Sequence, residues 1–88
     1  ARELSGGSES PPRVTLYSKA ECGLCDEAEE VLRKLQREIP FSLDVVDIES
    51  DKALFDRYWL RIPVVAVEGE DVAEAPLDVD RLRAALVH

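Results

Sequence analysis

The chain has little of what several common functions need. Of its 88 residues two are cysteines, one is His and none is Met, with four Gly and five Pro. Two cysteines cannot build the disulfide framework with which small secreted domains replace a core. With one His, at terminal position His88, and no second cysteine pair, a single chain cannot supply the four ligands of a structural zinc site. No apolar run approaches the roughly 18–20 residues that span a bilayer. The start of the chain shows no basic segment leading into an apolar one, the mark of a secretory signal. Base is scarce too: eleven Lys and Arg face nineteen Asp and Glu, a formal net charge of −8. Phosphate backbones and anionic membrane surfaces are repelled by such a chain, which argues against nucleic acid and membrane as partners. Solubility alone accounts for the charge. These absences together lead to the expectation of a cytoplasmic monomer with no bound metal or cofactor.

What is present suffices for one small domain. Apolar residues make up 45% of the chain and are spread along it. A chain this short buries roughly 60–65% of the surface its unfolded state exposes. Residues 1–12, "ARELSGGSESPP", are polar, rich in Gly, Ser and Pro, and without period, so they are expected to form a mobile tail. The folded domain is then 13–88.

"RVTLYS" (13–18) alternates Val14 and Leu16 with polar residues and predicts a strand. From Cys22 the period changes to helical steps through Leu24, Ala28, Val31, Leu32, Leu35 and Ile39, and Pro40 ends the helix. Acid-before-base pairs four apart, Glu29 with Arg33 and Glu30 with Lys34, suit its exposed face. "FSLDVVDI" (41–48) predicts a second strand. Ser50 and Asp51 cap a short helix whose expected buried side is Leu54, Phe55, Tyr58 and Trp59. Val64–Val67 and Val72–Ala75 predict a hairpin with its turn around Glu68–Asp71, and Asp78 caps a last helix over 79–87. The order β-α-β-α-β-β-α implies an α/β fold. Its first two strands lie parallel through a right-handed crossover, and helices cover both faces of a four-stranded mixed sheet.

The two cysteines stand two residues apart where strand one gives way to helix one. A pair at this spacing can be packing residues, half of a metal site, or a redox switch. The strand before it and the βαβ pattern around it favour the switch. Unpaired N–H groups and the helix dipole at a helix start stabilise a thiolate at Cys22, the nucleophilic form. Cys25 returns one turn later and can resolve a mixed disulfide at Cys22. Lys19 favours the thiolate, while Glu21, Asp26 and Glu27 oppose it. A modest activation relative to a free thiol near ~8.5 is expected. Further on, Pro63 reads either as a strand-starting proline or as the second residue of a cis bond. A cis bond sets the Ile62 backbone beside the cysteines with its N–H and C=O free for an extended substrate.

"VTLYSKAECGLCDEAEEVL" followed by "VVDIESDKALFDRYWLRIPVVAV" resembles the glutaredoxin-like proteins of the thioredoxin superfamily, over residues 13–87. The nearest subgroup carries a C-x-L-C-D-E-A signature. The resemblance implies a thioredoxin-like fold and thiol–disulfide exchange, with Cys22 as nucleophile and Cys25 as resolving thiol. It implies that Ile62 and Pro63 form the cis-Pro pair of the substrate groove, and that Lys19 stands near the thiolate and a glutathione carboxylate. Gly23 and Leu24 fill the positions that commonly hold Pro and Tyr. The Gly-Gly segment and paired acids that bind glutathione are replaced by "VAEAPLDVD", with Asp78 as the remaining candidate, and Glu74 is expected to repel the anionic tripeptide. The implied partners are a protein or small-molecule disulfide and an electron donor, either glutathione or a thioredoxin-reductase-type enzyme. A non-catalytic binding module using the groove near Ile62 and Pro63 is the alternative function. In it Tyr58 and Trp59 are either packing residues or contacts.

Overall fold

The structure, a computed structural model, describes residues 11–74 and 77–86. Its elements are β1 (Arg13–Ser18), α1 (Gly23–Glu38), β2 (Ser42–Asp47), a 3-10 turn (Ile48–Ser50), α2 (Lys52–Tyr58), β3 (Val64–Val67), β4 (Glu70–Glu74) and α3 (Val79–Leu86). The four strands form one sheet in the order β2-β1-β3-β4. β1 and β2 run parallel, from Arg13 beside Ser42 to Ser18 beside Asp47. β3 is antiparallel to β1, with Leu16 opposite Val65 and Tyr17 opposite Val64, and β4 returns antiparallel to β3.

The pleat explains how residues are shared between the two layers. Successive side chains of a strand point to opposite faces. Val14 and Leu16 of β1, with Val65 and Val67 of β3, therefore face α1 and α3. There Ala28, Leu32, Leu35, Leu82 and Leu86 close the main core together with Phe41. The other face carries Val64, against which Ile48 and Tyr58 pack with Tyr17, Leu54, Phe55 and Ile62. β3 is thus buried on both faces, which is why "VVAV" has no polar alternation. Fully burying a side chain such as Leu32 stabilises the fold by about 1.5–3 kcal/mol.

Short polar side chains start the helices. Asp51 caps α2, its Oδ1 accepting from the N–H groups of Ala53 (2.8 Å) and Leu54 (3.3 Å). The Pro12 carbonyl accepts from the Ser42 N–H at 3.0 Å, so strand pairing begins one residue ahead of β1.

Three expectations are corrected. The second strand stops at Asp47, because the Asp47 carboxylate accepts from the Glu49 N–H (2.8 Å) and Ile48 opens the 3-10 turn. The hairpin turn is two residues, Glu68 and Gly69, both at positive φ (52° and 84°), with Val67 facing Glu70. Such a turn matches the twist of the flanking strands. β4 consequently begins at Glu70, and a bulge lets Ala66 face Asp71 while Val65 faces Ala73. Trp59 is not on the buried side of α2. It is 52% exposed, just past the end of the helix, and stacks on Phe55 with ring centroids 6.1 Å apart. Ala75, the tail through residue 10, the end of the last helix at position 87, and His88 lie outside the described residues. Among the described residues no helix is long and apolar enough to cross a membrane.

Candidate functional site

The parallel strand β1 ends at Ser18, and the loop Lys19–Glu21 carries the chain to α1. Glu21 adopts φ 56°, a left-handed conformation costing an L-residue about 1–2 kcal/mol. Cys22 then returns to extended backbone (φ −118°, ψ 104°) and is the N-cap of α1. Its Sγ accepts from the Cys25 N–H at 3.2 Å, and its carbonyl accepts from the Asp26 N–H at 3.0 Å. Cys22 and Cys25 are joined as a disulfide, with Cα atoms 5.2 Å apart.

Helix periodicity makes the two sulfurs unequal. Cys25 continues the inward stripe of Ala28, Leu32 and Leu35 and is 2% exposed. Cys22, at the cap, is partly exposed. An incoming group therefore meets Cys22 first. The N–H that bonds to its sulfur and the positive end of the α1 dipole favour negative charge there. Lys19, Glu21, Asp26 and Glu27 are all exposed around it.

The other residues singled out in the sequence fall in different places. Gly23 is the first helical residue, and open space surrounds the position a Cβ would take. Leu24, between the cysteines in sequence, is 58% exposed. The Ile62–Pro63 bond is cis. Since Tyr17 faces Val64, continuing the register places Pro63 alongside Ser18, at the strand end that leads to Cys22. The Ile62 N–H is not free, however. It donates to the Tyr58 carbonyl at 3.0 Å in the last turn of α2, so it is not available to an extended substrate. Asp78 is occupied as a helix cap, its Oδ1 accepting from the N–H groups of Asp80 (3.0 Å) and Arg81 (3.2 Å). Glu74, expected to repel glutathione, is ion-paired with Arg61, which donates to it from Nε (2.9 Å) and from a terminal nitrogen (2.7 Å). Among the described residues no three His, Cys, Asp or Glu side chains stand together as metal ligands do.

The family model of the Glutaredoxin-like domain (DUF836) matches residues 13–87. The chain belongs to this glutaredoxin-like family. Its fold is similar to a protein of Nitrosomonas europaea solved by solution NMR, with a TM-score of 0.80, 30% identity, and coverage of 93% of this chain and 99% of that one. It is also similar to an X. campestris protein solved by X-ray diffraction (TM-score 0.68, 38% identity, 83% and 93% covered). A mutant thioredoxin from Halobacterium salinarum aligns with a TM-score of 0.62 at 25% identity, covering 90% and 74%. The α/β thioredoxin-like fold expected from the element order is thereby shown. A cysteine pair joined at the start of α1 marks this glutaredoxin-like chain as a redox protein of that fold.

Sequence reasoning missed one polar cluster in the glutaredoxin-like domain. The Tyr58 hydroxyl donates to Asp71 (3.1 Å), while the Arg61 guanidinium lies 3.6 Å from the same carboxylate and 5.5 Å from the Tyr58 ring centroid. Tyr17 stacks on that ring, centroids 4.3 Å apart. Burial, and then the hydrogen bond to Asp71, push the Tyr58 hydroxyl above its ordinary pKa. Beside the cluster lies an open cavity of about 300 Å³, lined by Arg61, Asp71, Glu74 and Arg81 among others. These partners are far apart in sequence, and only the pairing of β4 with β3 brings them together, so no local pattern announced them.

Proposed function

We propose that the protein is a cytoplasmic thiol–disulfide oxidoreductase that cycles Cys22 and Cys25 between dithiol and disulfide. The observation that carries this reading is the inequality of the two sulfurs: a partly exposed Cys22 whose Sγ accepts an amide N–H, backed by a buried Cys25 one turn on. The Cys22 thiolate attacks one sulfur of the substrate disulfide, whose other half leaves as a thiolate and takes a proton from water. Cys25, once deprotonated, attacks Cys22 and releases the second half. Two electrons pass to the substrate, a protein or small-molecule disulfide. Gly23, Leu24, Ile62 and Pro63 form the rim against which it lies, and Lys19, three residues before Cys22, is the base of the adjoining loop. Glutathione or a thioredoxin-reductase-type enzyme returns the electrons. With Asp78 committed to α3, the glutathione contact left from the family pattern is Lys19.

The test is exchange between the reduced protein and 2-hydroxyethyl disulfide. Cys22→Ser is expected to abolish it, and Cys25→Ser to accumulate a mixed disulfide on Cys22, read by intact mass. A fully reduced wild-type protein that leaves the disulfide untouched overturns the proposal. One observation favours the binding-module reading: Trp59 and Leu60, 52% and 77% exposed, stand just ahead of Ile62 and Pro63. That reading requires a protein partner held equally well by wild type and by Cys22→Ser.

A further inference from the structure

Ser18, the last residue of β1, is 9% exposed, and apart from Tyr58 and Cys25 it is the one polar residue buried among those described. Its Oγ makes no hydrogen bond among the described residues. Burying a hydroxyl without a partner costs free energy, so such a group points to a state in which it is bonded. Its neighbours in the sheet do not serve it. Asp47, beside it on β2, spends its Oδ1 on the Glu49 N–H, and Pro63, alongside it by continuation of the β3 register, has no N–H. The pleat says where Ser18 points. It continues the buried row of Val14 and Leu16 that faces α1. Cys25, 2% exposed, continues the stripe of Ala28, Leu32 and Leu35 that packs on this row. α1 starts beyond the end of β1 and returns to β2, whose first residue lies beside the start of β1, so it runs antiparallel to β1. The last residue of the row and the first of the stripe therefore share one end of one layer.

Resting on the exchange reaction proposed above, we infer that Ser18 is a further residue of that reaction, and that its hydroxyl holds the Cys25 sulfur when the disulfide is open. Reduction breaks the bond between the sulfurs, which then cannot stay at a bonded distance of about 2 Å. Cys22 stands at the partly exposed cap, but Cys25 is enclosed and takes its new partner from the layer it faces. Ser18 is the polar side chain buried there. A hydroxyl both donates and accepts, so it accepts the S–H of the Cys25 thiol and donates its O–H to the Cys25 thiolate. In the resolving step an electron pair of Cys25 forms the bond to the Cys22 sulfur. The substrate sulfur leaves with the pair of the broken bond and takes a proton from water. The Ser18 hydroxyl then loses its partner and is left as it stands in the disulfide form. Ser18 thus favours the dithiol over the disulfide.

The experiment reads the redox equilibrium of the pair in glutathione buffers of graded ratio. Protein disulfide and two glutathione thiols there exchange for protein dithiol and glutathione disulfide. In Ser18→Ala the equilibrium constant is expected to move toward the protein disulfide by roughly three- to tenfold, the worth of one hydrogen bond. Ser18→Thr and Ser18→Val add similar bulk and differ in the hydroxyl. Ser18→Thr is expected to lie near wild type and Ser18→Val near Ser18→Ala. Urea unfolding adds a readout that a merely structural serine would not give. Ser18→Ala is expected to leave the oxidised protein at least as stable as wild type, and to weaken the reduced protein alone. It removes bulk, so it decides by itself where the larger variants fail to fold. An unchanged equilibrium in Ser18→Ala, equal shifts in Ser18→Thr and Ser18→Val, or equal loss of stability in both redox states overturns the assignment and leaves the exchange reaction standing. Failure of the wild type to exchange with 2-hydroxyethyl disulfide overturns the reaction, while the glutathione equilibrium still reads the assignment.

Discussion

The sulfur of Cys22 accepts the Cys25 N–H at 3.2 Å, the bond that a Ser or Asp oxygen makes in an ordinary helix cap. One atom thus serves the fold and the chemistry, and the two roles separate by substitution. Serine can keep the cap without the redox sulfur, whereas alanine loses both. In the presence of reductant, where no disulfide contributes, Cys22→Ala is expected to be about 1 kcal/mol less stable than Cys22→Ser in urea unfolding. Both variants are expected to be inactive in exchange. Equal stabilities would mean that the sulfur contributes nothing as a cap. Glu21 bears on the same residue: its left-handed backbone lets Cys22 turn back to extended geometry in time to cap α1. Strained residues of this kind tend to gather at functional sites.

At the scale of elements, the hairpin joining β3 to β4 depends on two residues at positive φ. Nothing lies within 4 Å of the position a Cβ would take on Gly69, so a substitution there meets only the backbone cost of φ 84°. Gly69→Ala is expected to lower stability by about 1 kcal/mol, measured by chemical denaturation, with little change in m-value. A neutral result would show that the turn relaxes to another geometry. Glu68 occupies the other left-handed position, where Asn, Asp or Gly is the usual choice. That choice hid the two-residue turn in the sequence and moved the expected start of β4 from Glu70 to Val72. Elsewhere the periods were strong enough to read. Val14 and Leu16 declared a half-buried strand, and Ala28, Leu32 and Leu35 an inward helix stripe, because each element has one dominant buried face. Trp59 misled for the opposite reason: helical spacing placed it inward, but α2 ends at Tyr58 and Trp59, the next residue, stacks on Phe55 and stays exposed. At the site, the cysteines and the Ile62–Pro63 segment were visible as motifs. The use of the Ile62 N–H by α2, and of the Glu74 carboxylate by Arg61, was not, since both depend on how α2 ends and where β4 lies.

Across the whole molecule, polar side chains tie elements distant in sequence on both faces of the sheet. On the α1/α3 face Arg83 reaches Glu38 at 2.6 Å, in an exposed pair whose worth is small. On the α2 face Arg61 reaches Glu74 in an exposed pair and also Asp71, and a second tie, Tyr58 to Asp71, is buried at the Tyr58 end, where Tyr17 and Arg61 lie against the ring. This second tie makes stability depend on pH in a defined direction. Tyr58 is neutral when protonated, and its pKa in the fold lies above the ordinary value of 10.0, first through burial and then through the bond to Asp71. Below about pH 10 the hydroxyl is protonated in both folded and unfolded chains, and its contribution is complete and constant. Above that pH the unfolded chain releases the proton first, so stability falls until the pH passes the raised folded value. Tyr58→Phe has no such proton. It is expected to cost about 1 kcal/mol near neutral pH, from the lost hydrogen bond, and to lose stability less steeply than wild type above pH 10. Urea unfolding at a series of pH values between neutral and strongly alkaline reads both effects in one experiment. Parallel curves for the two proteins above pH 10 would show that the Tyr58 hydroxyl is not held by Asp71 in solution, and with it the tie between α2 and β4 would fall.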